Sequence, residues 1–163
     1  MWPFSLFSRE KAPATPDSAI ILRQDAVAII KALPGFSTST EIEQDDAGNY
    51  RAPGFWRMAA LYQKTRLAGP YVQNKHDCEN FAAAAAEDVA ELWAAELEKE
   101  PLAQGVIHGV LPLDGNSLME GPHALNWFID KASNFWLRGA IDRRIKNPWD
   151  LKRIKNIALV RFV

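Results

Sequence analysis

The sequence predicts an α+β fold in one domain, and three observations carry that expectation. The chain has 163 residues, a length that suits one compact unit with a hydrophobic core. Up to about Glu98 the apolar residues recur at helical spacing, whereas beyond it short apolar runs alternate like strands. Proline and glycine punctuate the boundaries between these segments.

Residues 1–17 are expected to form a tail and linker, and 18–163 the domain. Met1–Lys11, MWPFSLFSREK, has no basic residues ahead of its apolar part and no small-residue cleavage site, so it does not read as a signal peptide. It reads as a frayed terminus or a strip that docks on the core, with a weak membrane-surface or partner anchor as the alternative. APATPD, Ala12–Asp17, reads as linker. Ser18–Leu33 is expected to be a helix, with Ile21, Leu22, Ala26, Ile29, Ile30 and Leu33 as its apolar stripe and Pro34-Gly35 as its stop. The polar stretch Phe36–Gly54 holds a turn signal at Asp45–Asn49 whose flanks suit a small hairpin. Gly54–Leu67 reads as a second helix, with Phe55, Met58, Ala59, Tyr62 and Leu67 facing inward. The clearest element is a helix from Cys78 to about Glu98, whose inner positions are Phe81, Ala82, Ala85, Val89, Leu92 and Trp93.

In the second half, Gly105–Leu111 reads as a strand and Pro112–Pro122 as a loop. Ala124–Ile129 and Asn134–Ile141 read as strands joined by a tight turn at Asp130–Ser133. Pro148–Arg153 is expected to be a short helical turn and Ile157–Val163 a final strand.

Composition excludes several function classes. Lys and Arg number 19 against 20 Asp and Glu, a net charge of −1, which argues against a dedicated nucleic-acid binder. The basic run Arg138, Arg143, Arg144, Lys146, Lys152, Arg153, Lys155 and Arg161 is expected to be a solvated face paired with acidic neighbours, with an acidic partner or substrate, nucleic acid included, as the alternative. No apolar run approaches the ~20 residues of a membrane helix. A single cysteine forms no internal disulfide and marks no oxidising compartment, so a cytoplasmic setting is expected. His76, Asp77, Cys78, His108 and His123, weighed as zinc ligands, lack the paired short spacings of a structural site. His108 is expected to be a satisfied strand histidine, and no metal or organic cofactor is called for.

One constellation carries chemistry. Lys75–Ala82, KHDCENFA, puts the only cysteine at the start of the long helix. Unpaired backbone N–H groups there favour a thiolate, which is the nucleophilic form. His123, at the head of GPHALNWFI, is a candidate base. With the next turn centred near Ala132, Asp142 comes close to His123 and is the candidate for orienting its ring. Asp130, at the turn itself, is the weaker candidate. Gln73 or Asn74 could add to the backbone N–H of Cys78 in an oxyanion hole.

The phrases D-C-E-N-F-A, G-P-H-A-L-N and A-I-D-R-R-I-K-N-P-W-D resemble, in that order, the nucleophile, histidine and aspartate segments of transglutaminase-like cysteine peptidases of the papain-like superfamily. They also resemble short phage and bacterial proteins with D-C-[DE]-[DN]-F-A. The resemblance spans roughly Tyr71–Asp150. It implies a papain-like fold with a long central helix bearing the cysteine packed on an antiparallel sheet. It further implies a Cys78-His123-Asp142 triad, amide hydrolysis or acyl transfer on a protein or peptide substrate, and a cleft covered by the loop Pro112–Pro122. His76 stands where such peptidases often have glycine. Gly139-Ala140-Ile141 stands where the phage-like set carries Glu-Pro-Gln. These departures sustain an alternative: a non-catalytic binding, adaptor or inhibitor protein that keeps the fold.

Overall fold

The computed structural model describes residues 17–66, 78–96, 100–113, 116–141, 143–146 and 151–163. Its elements are β1 (Ser18–Leu22), α1 (Arg23–Lys31), β2 (Glu41–Glu43), β3 (Asn49–Pro53), α2 (Phe55–Gln63), α3 (Cys78–Ala94), β4 (Gln104–Leu113), β5 (Asn116–Ile129), β6 (Phe135–Arg138), β7 (Ile145–Lys146) and β8 (Asn156–Phe162). A sheet of six strands, in the order β2-β8-β4-β5-β6-β7, forms the centre, and β1 and β3 make a separate antiparallel pair.

Alternation along β4 and β5 sends side chains to two different cores. Ile107, Leu111, Leu125, Trp127 and Ile129 join Ala26 and Ile30 of α1 and the β1–β3 pair in one cluster. Val106 and Ala124 join Phe81, Ala82 and Ala86 of α3 on the other face. Phe128 completes a third cluster there, with Met58, Leu61 and Tyr62 of α2 and Val89 and Trp93 of α3. The last strand, β8, sits inside the sheet, against β4. Two glycines of β4 allow that approach: a Cβ at Gly105 would lie 1.9 Å from the Arg161 carbonyl oxygen, and one at Gly109 2.0 Å from that of Asn156.

Several expectations are corrected. The molecule is built round the sheet and not round a helix, since α3 is one of two helices laid on one sheet face. The sheet is also mixed and not purely antiparallel, because β2 runs parallel to β8. Helices do not precede strands: three strands lie in the first half. Ser18–Leu22 is a strand because pairing with β3, Ile21 opposite Tyr50, buries Ile21. The chain turns helical only after Leu22, whose ψ of 146° is extended. The flanks of Asp45–Asn49 do not pair with each other; β2 joins β8 and β3 joins β1. The segment expected to be a covering loop, Pro112–Pro122, is instead mostly strand, since β4 runs to Leu113 and β5 starts at Asn116.

The β5–β6 hairpin has the expected register, with Asn126 opposite Arg138. Asp130 makes its turn. The buried carboxylate accepts hydrogen bonds from the N–H groups of Ala132 and Asn134 at 2.9 and 3.0 Å and from Trp136 Nε1 at 2.8 Å. Asp130 thereby has a structural task, far from the histidine it was weighed against.

Candidate functional site

Four elements converge on a groove of about 350 Å³, lined by Cys78 and Glu79 of α3, His108, Gly109 and Val110 of β4, Pro122, His123 and Ala124 of β5, and Ala158 of β8. The strands bring these together by register: His108 lies opposite Ala124 and Gly109 opposite His123. Helix α3 is held over the strands by two buried amides. Asn126 Nδ2 donates to the Ala82 carbonyl at 2.7 Å, and Gln104 Nε2 donates to that of Ala86 at 3.2 Å. These carbonyls lie one helical turn apart, so the pair fixes both the rotation and the slide of α3. Its first residue, the half-buried Cys78, is thereby set beside the sheet.

The groove contains both Cys78 and His123, which are far apart along the chain. Gln73, Asn74, His76, Asp77 and Asp142 lie outside the described residues. His108, expected to be satisfied, has a buried Nε2 with no hydrogen-bond partner among the described residues. Burial holds its pKa below the usual histidine value, with Arg161 adding to the effect and Glu79 and Glu43 opposing it. The ring is therefore neutral at pH 7 and presents one donor and one acceptor nitrogen. The described residues contain no group of three or more His, Cys, Asp or Glu side chains placed to hold a metal ion.

A second hollow, of about 220 Å³, lies between α2 and the β6–β7 end of the sheet. It is lined by Phe55, Trp56, Ala59, Tyr62 and Gln63 of α2, together with Arg138, Arg143 and Ile145. Sequence reasoning missed it. The signal was that Trp56 falls off the apolar stripe of α2, and the indole is indeed 81% exposed.

Among the solved structures that share this fold are two of a lectin. One is a complex of PSL1a, the Polyporus squamosus lectin, with E64: 21% identity, TM-score 0.67, covering 88% of this chain and 51% of that one. The other is the Polyporus squamosus lectin bound to the human-type influenza-binding epitope Neu5Acα2-6Galβ1-4GlcNAc: 19% identity, TM-score 0.60, covering 86% of this chain and 49% of that one. The chain thus spans about half the length of each lectin chain it matches. No protein-family profile matches it, nor does any curated protein.

These likenesses correct the expected kinship. The shared fold is that of chains of a lectin, so the papain-like, transglutaminase-like assignment and the peptidase triad drawn from it are withdrawn. The physical reason is visible in the motif residues themselves. Phe81, Ala82 and Ala124 pack in one cluster, and Asn126 bonds to Ala82. Phrases such as E-N-F-A and H-A-L-N are therefore accounted for by how α3 seats on β5. Among the described residues no helix is long and apolar enough to cross a membrane.

Proposed function

We propose that residues 18–163 act as one binding domain, without catalysis, and that the ligand is a carbohydrate rather than a peptide. The observation that carries this reading is the fold shared, over 86% of the chain, with a lectin whose structure holds a trisaccharide. The groove of Cys78, His108 and His123 is the place we assign to the sugar. Its floor of Gly109, Val110, Pro122 and Ala124 is low and largely apolar, which suits the C–H face of a pyranose ring. A sugar hydroxyl both donates and accepts. The neutral His108 ring, its Nε2 buried, can meet one such hydroxyl through Nδ1, and the Glu79 carboxylate at the rim accepts from hydroxyl donors. Cys78 and His123 serve here as walls of the groove.

Isothermal titration with Galβ1-4GlcNAc and with Neu5Acα2-6Galβ1-4GlcNAc tests the reading. Saturable binding of at least one glycan is expected. His108→Ala should weaken it about tenfold or more, equivalent to about 1.4 kcal/mol, while the melting curve stays cooperative. Cys78→Ser removes the thiol but keeps a small polar side chain, and should leave the affinity unchanged. No heat from either glycan, or full affinity in His108→Ala, rejects the proposal.

A further inference from the structure

We infer that the hollow between α2 and the β6–β7 end of the sheet is a second binding site, for a small ring compound bearing a carboxylate. Three observations meet there. The first is the exposed Trp56 indole, which stands edge-on to Phe55 at 5.0 Å and 81°. Phe55 in turn lies 4.5 Å from Trp136. The indole is therefore a flat apolar surface presented to solvent on an aromatic base, a form that accepts a ring face at little entropic cost.

The second observation is Arg143. Its backbone has a φ of +59°, a region uncommon for a residue other than glycine. This conformation carries the guanidinium across to the end of α2, where Nη2 donates to the carbonyls of Gln63 and Thr65 at 3.0 and 2.8 Å. These acceptors belong to the C-terminal end of α2, where a positive charge is favoured. Every hydrogen bond described for Arg143 leaves from Nη2. The bonds orient the guanidinium while leaving Nη1 and Nε out of the cap, on a group that lines the hollow. With Nη2 held by the cap, Nη1 or Nε can donate one charge-assisted hydrogen bond to a carboxylate oxygen, and the guanidinium charge adds its attraction.

The third observation is the sign of the lining. Arg138 and Arg143 are both cationic, Gln63 is neutral, and no Asp or Glu lines the hollow among the described residues. Tyr62 brings no negative charge, because burial pushes its hydroxyl well above the ordinary tyrosine value, against the opposing pull of Arg138. That hydroxyl donates to Gln104 Oε1 at 2.8 Å. A volume of about 220 Å³ is below the span of drug-sized pockets and fits one ring. Ring against Trp56 and carboxylate on Arg143 is the complementary occupant. A carboxylated sugar and an aromatic acid share this chemistry.

The test is a titration followed by the indole N–H resonances of the 15N-labelled protein, the Trp56 signal being assigned by its loss in Trp56→Phe. Glucuronate and benzoate are the acid probes, and glucose and benzyl alcohol their uncharged counterparts. At least one acid is expected to shift the Trp56 signal saturably, at least tenfold more tightly than its counterpart, with 0.5 M NaCl weakening the effect. Whichever acid binds more tightly identifies the sugar or the aromatic source. Arg143→Gln should bring the acid down to the level of its counterpart. Arg143 also caps α2, so Trp56→Ala, a change on the surface, provides the second variant. There the acid-induced shifts of neighbouring backbone amides should be lost. His108→Ala, in the other groove, should leave all shifts in place, which separates this site from the sugar proposal. Equal response to acid and counterpart, or tight acid binding retained by a folded Arg143→Gln or by Trp56→Ala, overturns the inference.

Discussion

The two faces of the central sheet are built on different principles. The face toward α1 and the β1–β3 pair is one continuous apolar cluster, with Trp127, Leu125 and Ile107 at its middle. The face toward α2 and α3 is divided into two clusters. Three buried polar side chains share that face: Gln104, Asn126 and Arg138. Asn126 Oδ1 accepts from Arg138 Nη1 at 3.1 Å, and the Arg138 guanidinium lies 4.9 Å from the centre of the Tyr62 ring. Apolar burial is strong but does not fix direction, whereas buried hydrogen bonds contribute less and fix geometry tightly. The first face supplies most of the stability. The second places α3, and both hollows take lining residues from elements that lie over it.

The sharpest way to break this contrast is to attack the apolar face. Trp127→Ala removes the largest fully buried side chain. It should cost about 3–5 kcal/mol in urea unfolding, a large share of the about 5–15 kcal/mol by which a native domain is held folded. A loss no larger than that of a surface substitution would show that this cluster does not dominate. The polar face should behave differently. Asn126→Ala removes the bond to Ala82 and one acceptor of Arg138, with an expected cost of about 1–3 kcal/mol. Its distinguishing sign is local: amide exchange should accelerate in the first turns of α3 more than in β4 and β5. Uniform acceleration would mean that Asn126 contributes only to global stability.

The smallest expected effect is on pH dependence, and it sharpens the same comparison at the groove. Burial lowers the pKa of His108 in the folded protein. The unfolded chain therefore binds the proton first, near the ordinary value of about 6.5. The resulting stability is complete above that value and declines as pH falls below it, towards the lower folded pKa. Urea midpoints measured from pH 7.5 to 5.5 should fall in the wild type and fall less in His108→Gln. Identical slopes would remove His108 from the account.

Much of the second half was legible because its signals are local. The turn at Asp130–Ser133 sets the β5–β6 register over a few residues, and the alanine-rich stripe of α3 speaks for helix wherever it is placed. Ser18–Leu22 was misread because Ile21 and Leu22 fit a helical stripe as well as a strand; the pairing with β3, distant in sequence, decides between them. The three residues of β2, Glu-Ile-Glu, carry no local sign that they will join β8. The site shows the same division. Cys78 and His123 stood out as residue types, and the fold places both in one groove. The hollow at Trp56 depends on Arg143 reaching the end of a helix far earlier in the chain, a contact no spacing announces. The peptidase resemblance misled because short phrases that seat a helix on a strand look alike whether or not they carry chemistry.

The interior position of β8 has a consequence for how the protein is made. Its neighbours are β2 and β4, so two strand edges wait for a segment that follows the other described strands of the sheet along the chain. A growing chain can close the β4–β5–β6 meander early, but the β4 edge stays open until Asn156–Phe162 arrives. During that interval the exposed edge can recruit a strand from another chain. Premature termination just upstream of Asn156 should therefore yield inclusion bodies rather than a smaller soluble domain.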